Sequence, residues 1–235
     1  MPPRPAPDGP IWTRPAAPPA RSTLTREAIV AAAVALADEQ GLDAVTIRGV
    51  AAALDARPMS LYPRIGSKDD LLDLMVDAVA GEVLLDEVPA DWRTALREIA
   101  ERTRAAGLRH PWMTASFGRR PSYGPNALRH VDQSLAAVDG LDLPVVATRA
   151  LLVALDTFTM GHVTTELSLE GRGLPDPEAW RASAAAYLEE TATSGTYPHL
   201  AARGSAVVLA EVDHDAVFDA GLTWLLDGFA ASLER

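Results

Sequence analysis

The stretch T46-I-R-G-V-A-A-A-L-D-A-R-P-M-S-L-Y-P-R-I-G-S-K68 decides how the rest of this chain is read. Thr46 is a good N-cap, and Ile47, Val50, Ala51 and Leu54 recur behind it at helical spacing. Asp55-Ala56-Arg57 makes a turn, and Pro58 suits the first position of another short helix. Pro63 lacks the N–H that would carry that helix on, so it is expected to end early. Ser67 with Asp70 gives a capping-box-like start to a long helix expected to reach Leu85. Upstream, Thr25 caps a helix whose Ile29, Ala33, Leu36 and Ala37 share a face, and Gly41 supplies its stop. Arg48, Arg57, Arg64 and Lys68 crowd around one carboxylate, Asp55, and Lys68 is the only lysine in 235 residues.

That crowding runs against the rest of the chain, whose net charge is -11. Residues 1–70 hold eight Arg/Lys and eight Asp/Glu, whereas residues 71–235 hold thirteen and twenty-four. An acidic body repels a polyanion, so nucleic acid could be approached only through the N-terminal part. With no cysteine there is no disulfide and no thiolate metal site. The N-terminus lacks an apolar signal core, and no apolar run reaches the roughly 18 residues of a membrane span. A cytoplasmic protein without a membrane partner is expected. Residues 1–22 contain eight prolines and read as a disordered, extended tail, with Arg4, Arg14 and Arg21 free to sample a minor groove.

Further helical segments are expected at about 91–107, 110–118, 125–138, 144–170, 177–193 and 213–233, separated by Gly, Pro and Asp. Nothing alternates as a strand, so the fold class is all-α. Three short helices with a tight turn between the second and third describe a helix-turn-helix, whose last helix enters the major groove. Pro58, Met59 and Ser60 then stand where base edges are read: Ser60 can bond either base type and Met59 can pack on a thymine methyl. Tyr62 and Lys68 offer phosphates a hydroxyl and an ammonium, the latter beside a helix amino end. Arg48 can reach a phosphate or the groove edge.

The run L24-T-R-E-A-I-V, L36-A-D-E-Q-G-L-D-A-V-T-I-R-G-V-A-A-A-L, M59-S-L-Y and S67-K-D-D-L-L-D resembles the N-terminal domain of TetR-family transcriptional repressors. D91-W-R-T-A-L, F117-G-R-R-P and F158-T-M-G-H-V-T-T-E resemble the tetracycline-repressor type of C-terminal domain. The resemblance implies DNA contacts at Thr46, Arg48, Pro58, Met59, Ser60, Tyr62, Arg64 and Lys68. It departs from the family at Asp55, where a glycine is usual, and at Pro63. After the proline-rich tail over 1–22, it implies a helix-turn-helix domain over 23–70 and a helical ligand-binding and dimerisation domain over 71–235.

Such a repressor addresses a palindromic double-stranded operator, so two-fold symmetry requires a homodimer. Leu151 and Leu155 in one apolar helix, and Phe218, Leu222, Leu225 and Phe229 in another, are the expected interface. The expected effector is a small, largely apolar organic molecule held without a metal or other cofactor. Trp112 and Phe117 would line its cavity, with His110 or His162 as a polar anchor. Ser116 and Thr165 stand where the tetracycline repressors carry metal ligands, which argues against a tetracycline–magnesium chelate. His162 and Glu166 are one turn apart and could hold a metal, but two ligands do not make a site. His130 and Asp132 do not face each other on a helix, and no nucleophile or phosphate-loop motif occurs, so no enzyme is expected. An α-helical protein–protein adaptor that has lost DNA binding stays open as the alternative.

Overall fold

The computed structural model describes residues 9, 11–14, 24–116, 123–169, 176–203 and 213–233. Among these there is no strand. Eleven α-helices follow in order: α1 (Arg26–Gln40), α2 (Ile47–Ala53), α3 (Tyr62–Ile65), α4 (Lys68–Ala80), α5 (Trp92–Arg109), α6 (Met113–Ser116), α7 (Pro125–Ala136), α8 (Val145–Leu169), α9 (Pro177–Thr193), α10 (Pro198–Arg203) and α11 (His214–Leu233). The chain divides into two compact units, residues 1–163 and 164–235, with the boundary inside α8.

In the first unit the expected caps operate. Thr25, Thr46 and Ser67 each accept a hydrogen bond from the backbone N–H three residues on. Gly41 ends α1 with a φ of 82°. Ile29, Ala33, Val45, Val50, Leu61, Ile65, Leu71 and Met75 are buried together where α1 packs on α2 and α4. Trp112 and Ala106 join the same core, so this helical cluster does not close on itself but includes the end of α5 and the turn after it.

Three local expectations need correcting. The segment after the turn starts as a 3₁₀ turn, Pro58–Ser60, and continues as α3. Pro63 does not stop it, because it falls in the first turn of α3, where its missing N–H has no acceptor to lose. Gly66 ends the helix instead, at a φ of 72°; a Cβ there would lie 2.6 Å from an Asp70 carboxylate oxygen. Second, α4 stops at Ala80 and a 3₁₀ turn covers Gly81–Val83, short of Leu85. Third, α10 lies in a segment read as punctuation.

The tail expectation also changes. Ile11–Thr13 forms a 3₁₀ turn, and Ile11 is buried in the core beside Trp12. Arg14 donates from both terminal nitrogens to the two carboxylate oxygens of Asp70, at 2.7 and 2.8 Å. Arg14 is therefore committed to α4 and is not free for a minor groove. Arg4 and Arg21 lie outside the described residues.

In the second unit α9 packs with α10, and Asp176 caps α9 through the N–H of Ala179. Helix α11 buries Phe218, Leu222 and Leu226. By length and composition, with a mean hydropathy of 1.2, α11 could cross a membrane. Asp215, Asp219 and Asp227 interrupt it, and each would be expensive in hydrocarbon.

Candidate functional site

The helix-turn-helix places the expected DNA-reading residues at the surface. Asp55 adopts the left-handed conformation, with φ 48°, at the position between α2 and α3. Asparagine and aspartate reach that region more readily than other non-glycine residues, so the tight turn forms despite the missing glycine. Beyond it Pro58 and Met59 project, the latter 75% exposed, with Tyr62 40% exposed. Leu61 and Ile65, on the other side of the same segment, are fully buried and fix its seating. Ser60 is half-buried and donates its hydroxyl to the Arg57 carbonyl at 2.6 Å. Its oxygen keeps lone pairs for another donor. Thr46 Oγ1 accepts from the Gly49 N–H at 2.9 Å while its own proton stays available. Arg48 and Lys68 are exposed, and Arg64 is half-buried. Arg26, at the start of α1, donates from Nε to the Arg64 carbonyl at 2.9 Å and holds the end of α3. Thus Thr46, Arg48, Pro58, Met59, Tyr62 and Lys68 are outward-facing around one short helix, with Asp55 in the turn and Asp69 beside Lys68 as the exposed acidic residues of the stretch 46–69.

The expected effector residues fare differently. His110 and Trp112 are engaged with the end of α1. Both are buried, and both bond the same oxygen of Asp38 at the end of α1: His110 Nδ1 at 2.8 Å and Trp112 Nε1–H at 2.7 Å. The other ring nitrogen of His110 lies 3.2 Å from the Glu82 carboxylate. Physically, a buried imidazole and indole must satisfy their polar atoms, and a carboxylate at the C-terminal end of α1 is at hand. Ser116 is half-buried at the end of α6, and Thr165 is exposed on α8. His162 is half-buried against Phe158, ring centroids 6.2 Å apart. Phe117 lies outside the described residues. Within the second unit, a Glu166 oxygen and a His214 nitrogen come within 4.8 Å of each other.

A second tie went unforeseen in the sequence. Asp77, buried on α4, accepts from the backbone N–H groups of Asn126 and Ala127 at 3.0 and 2.9 Å, so it caps the start of α7. Burial pushes its carboxyl above the ordinary value even though both N–H bonds pull the other way. Gly124 is indispensable to this contact, because a Cβ there would lie 2.1 Å from the Asp77 carboxylate. Gln133 of α7 brackets Leu85, donating to its carbonyl at 2.7 Å and accepting from its N–H at 3.0 Å. Only an aspartate just before α7 in sequence would have signalled this cap, and the capping group comes instead from a residue 49 positions away.

The expected interface residues differ in burial. Leu151, Leu155, Phe218 and Leu222 are buried within the single chain, while Leu225 and Phe229 are half-buried. The first four are therefore covered by the chain itself. Both helices carry a second apolar or small-residue face that is open. On α8 it runs through Val146, Ala150, Val153, Thr157 and Gly161; on α11 through Val217, Trp224, Gly228 and Ala231. Trp224 is 74% exposed, and a Cβ added at Gly161 or Gly228 would meet nothing within 4 Å.

An all-α chain with an exposed helix-turn-helix, hydrogen-bonded to a larger helical body, is a transcriptional regulator by architecture. Residues 29–75 match the family model "Bacterial regulatory proteins, tetR family", and residues 86–233 match "Tetracyclin repressor-like, C-terminal domain". The chain belongs to the TetR family of bacterial transcriptional regulators, which are not enzymes. It is 36% identical over 217 residues to the HTH-type transcriptional repressor DrrR1 of Streptomyces coeruleorubidus, covering 88% of this chain and 78% of that protein. It is 34% identical over 226 residues to an HTH-type transcriptional regulator of Saccharopolyspora erythraea, covering 95% and 92%. Among solved structures it resembles the TetR family protein ActR of Streptomyces coelicolor in complex with actinorhodin. That likeness has a TM-score of 0.75 and 26% identity, and covers 91% of this chain and all of that one.

Proposed function

We propose that this regulator is a repressor that binds a palindromic operator as a homodimer and is released by a small organic effector. Residues 23–70 are the DNA-reading part and 71–235 the effector and dimerisation part, with Thr46, Arg48, Pro58, Met59, Ser60, Tyr62, Arg64 and Lys68 as the DNA contacts. Dimerisation uses the open faces of α8 and α11. Structures of the relative ActR hold actinorhodin and, separately, (S)-DNPA, which supports an organic effector of comparable size here. The effector is largely apolar and needs no resident metal.

The observation that carries this reading is that both helices flanking the reading segment are tied at their far ends to the effector helices. The end of α1 is held through Asp38 by His110 and Trp112, and α4 is held through Asp77 by the start of α7. A ligand that shifts α5 or α7 therefore moves α1 or α4, and with them the recognition segment. Differential affinity for the two positions is all that release requires. The test is gel-shift titration against genomic fragments at several salt concentrations. Lys68→Ala should weaken binding to every fragment and reduce the salt slope by about one unit. Retention on DNA that ignores salt would favour the protein–protein adaptor and overturn the repressor reading.

A further inference from the structure

Helix α4 carries two buried aspartates, Asp70 and Asp77, and residues 12–14 reach the surroundings of both. The two stand seven positions apart, or two helical turns, so they share a face and lie about 10 Å apart along the axis. At the first, the Arg14 guanidinium takes both carboxylate oxygens of Asp70, and its Nη2 also donates to the Gly9 carbonyl at 3.1 Å. Asp70 Oδ2 further accepts the Ser67 hydroxyl at 2.8 Å. At the second, Trp12 comes to where Asp77 meets the start of α7. A Cβ on Gly124 would run into the Asp77 carboxylate and would lie 2.7 Å from Trp12 Cζ2. Ile11, buried in the core of α1, α2 and α4, anchors the segment that carries both side chains.

The Arg14–Asp70 pair stands where the reading segment joins α4. Gly66, which ends α3, is pressed against it: a Cβ there would lie 2.7 Å from Arg14 Nη1. Lys68 follows two residues later. On the other side Arg26 holds the Arg64 carbonyl, so α3 is gripped from α1 as well. A guanidinium fork on a carboxylate fixes geometry as well as adding energy. Both terminal nitrogens of Arg14 are engaged and its charge is matched by Asp70, so it is not placed to grip a phosphate. One short segment from outside the helix-turn-helix thus closes the junction beside Lys68 and covers the start of α7.

We propose that Arg14 and Trp12 are positioning residues for DNA binding, an inference that rests on the DNA-reading assignment above. Arg14, acting through Asp70, seats Gly66–Lys68 on α4, and Trp12 registers that seating with the start of α7. DNA is bound tightly only with the segment docked, because a reading segment already held in place need not be ordered on binding. Three substitutions separate this role from charge. Arg14→Gln removes a positive charge, Asp70→Asn removes a negative one, and Trp12→Ala changes none. Attraction between charges alone makes the first weaker, the second tighter and the third unchanged. The brace makes all three weaker.

The test is fluorescence anisotropy of a genomic fragment that wild type retains, titrated with full-length protein at several salt concentrations. Temperatures well below each variant's melting point, checked by circular dichroism, keep the comparison among folded chains. Each single variant should bind about fivefold or more weakly, with the salt slope of Arg14→Gln unchanged. The double variant Arg14→Gln, Asp70→Asn should lose no more than the weaker-binding single one, since both break the same pair. A slope that falls by about one unit in Arg14→Gln, with wild-type affinity in Trp12→Ala, assigns Arg14 to a phosphate and overturns the proposal. Tighter binding by Asp70→Asn overturns it as well. Should Asp70→Asn not fold, Trp12→Ala still decides, because it leaves every charge in place and wild-type affinity there refutes the brace. Wild type that retains no fragment overturns the DNA-reading assignment itself, and the brace with it.

Discussion

At the scale of single residues, the decisive groups are carboxylates that bridge parts of the chain far apart in sequence. Asp38 satisfies both Trp112 and His110, so Asp38→Ala leaves two buried donors or acceptors orphaned. That change should cost about 2–4 kcal/mol, seen as a fall of roughly 5–15 °C in Tm, while a surface change such as Asp43→Ala should be nearly silent. If Asp38→Ala kept full stability, the contact would not be part of the fold in solution. Asp156 gives a pH prediction. Its folded pKa is raised, so its cost is absent below the unfolded value near 3.8, grows between there and about 6, and is complete above. Asp156→Asn should therefore stabilise the free protein, on the order of 2 kcal/mol at pH 8 and markedly less at pH 4.5. Paired thermal melts at the two pH values check this, and a difference that does not vary with pH would refute it.

At the scale of elements, α8 and α11 show why an apolar helix does not announce which face pairs with what. Each is hydrophobic around much of its circumference, and periodicity alone gives no reason to prefer Leu222 over Trp224. In the folded chain Leu222 is fully buried and Trp224 largely exposed, so charges at the two positions should act differently. Trp224→Arg should yield a folded monomer, with unchanged helical circular dichroism and half the mass by analytical ultracentrifugation. Leu222→Glu should unfold the chain, since an unpaired charge in the core costs several kcal/mol. A dimer of full strength in Trp224→Arg would move the interface off this face. The recognition segment teaches the same lesson in miniature. A proline read as a terminator turned out to sit in a first turn, because the helix begins one 3₁₀ turn later than its first proline suggests.

At the scale of the molecule, residues 11–14 are an integral strap. Deleting residues 1–14 removes the buried Ile11 and leaves the buried Asp70 without its guanidinium, and should cost about 2–5 kcal/mol. Urea denaturation of the truncated chain checks it, and an unchanged midpoint would mean that the strap contributes nothing. Most helices and their caps were legible in the sequence. They depend on contacts within a few residues: Thr25, Thr46 and Ser67 bond the N–H three positions on, and the 3.6-residue period of Ile47, Val50, Ala51 and Leu54 marks one buried face. Family membership was legible for the same reason, since its motifs are local runs. What only the tertiary structure decided is the set of partners separated by dozens of residues: Asp38 with Trp112, Asp77 with the start of α7, Arg14 with Asp70, and the choice of buried face on α8 and α11. A side chain's type states that a buried polar atom must be satisfied. Which group satisfies it depends on how helices pack, and no local spacing encodes that.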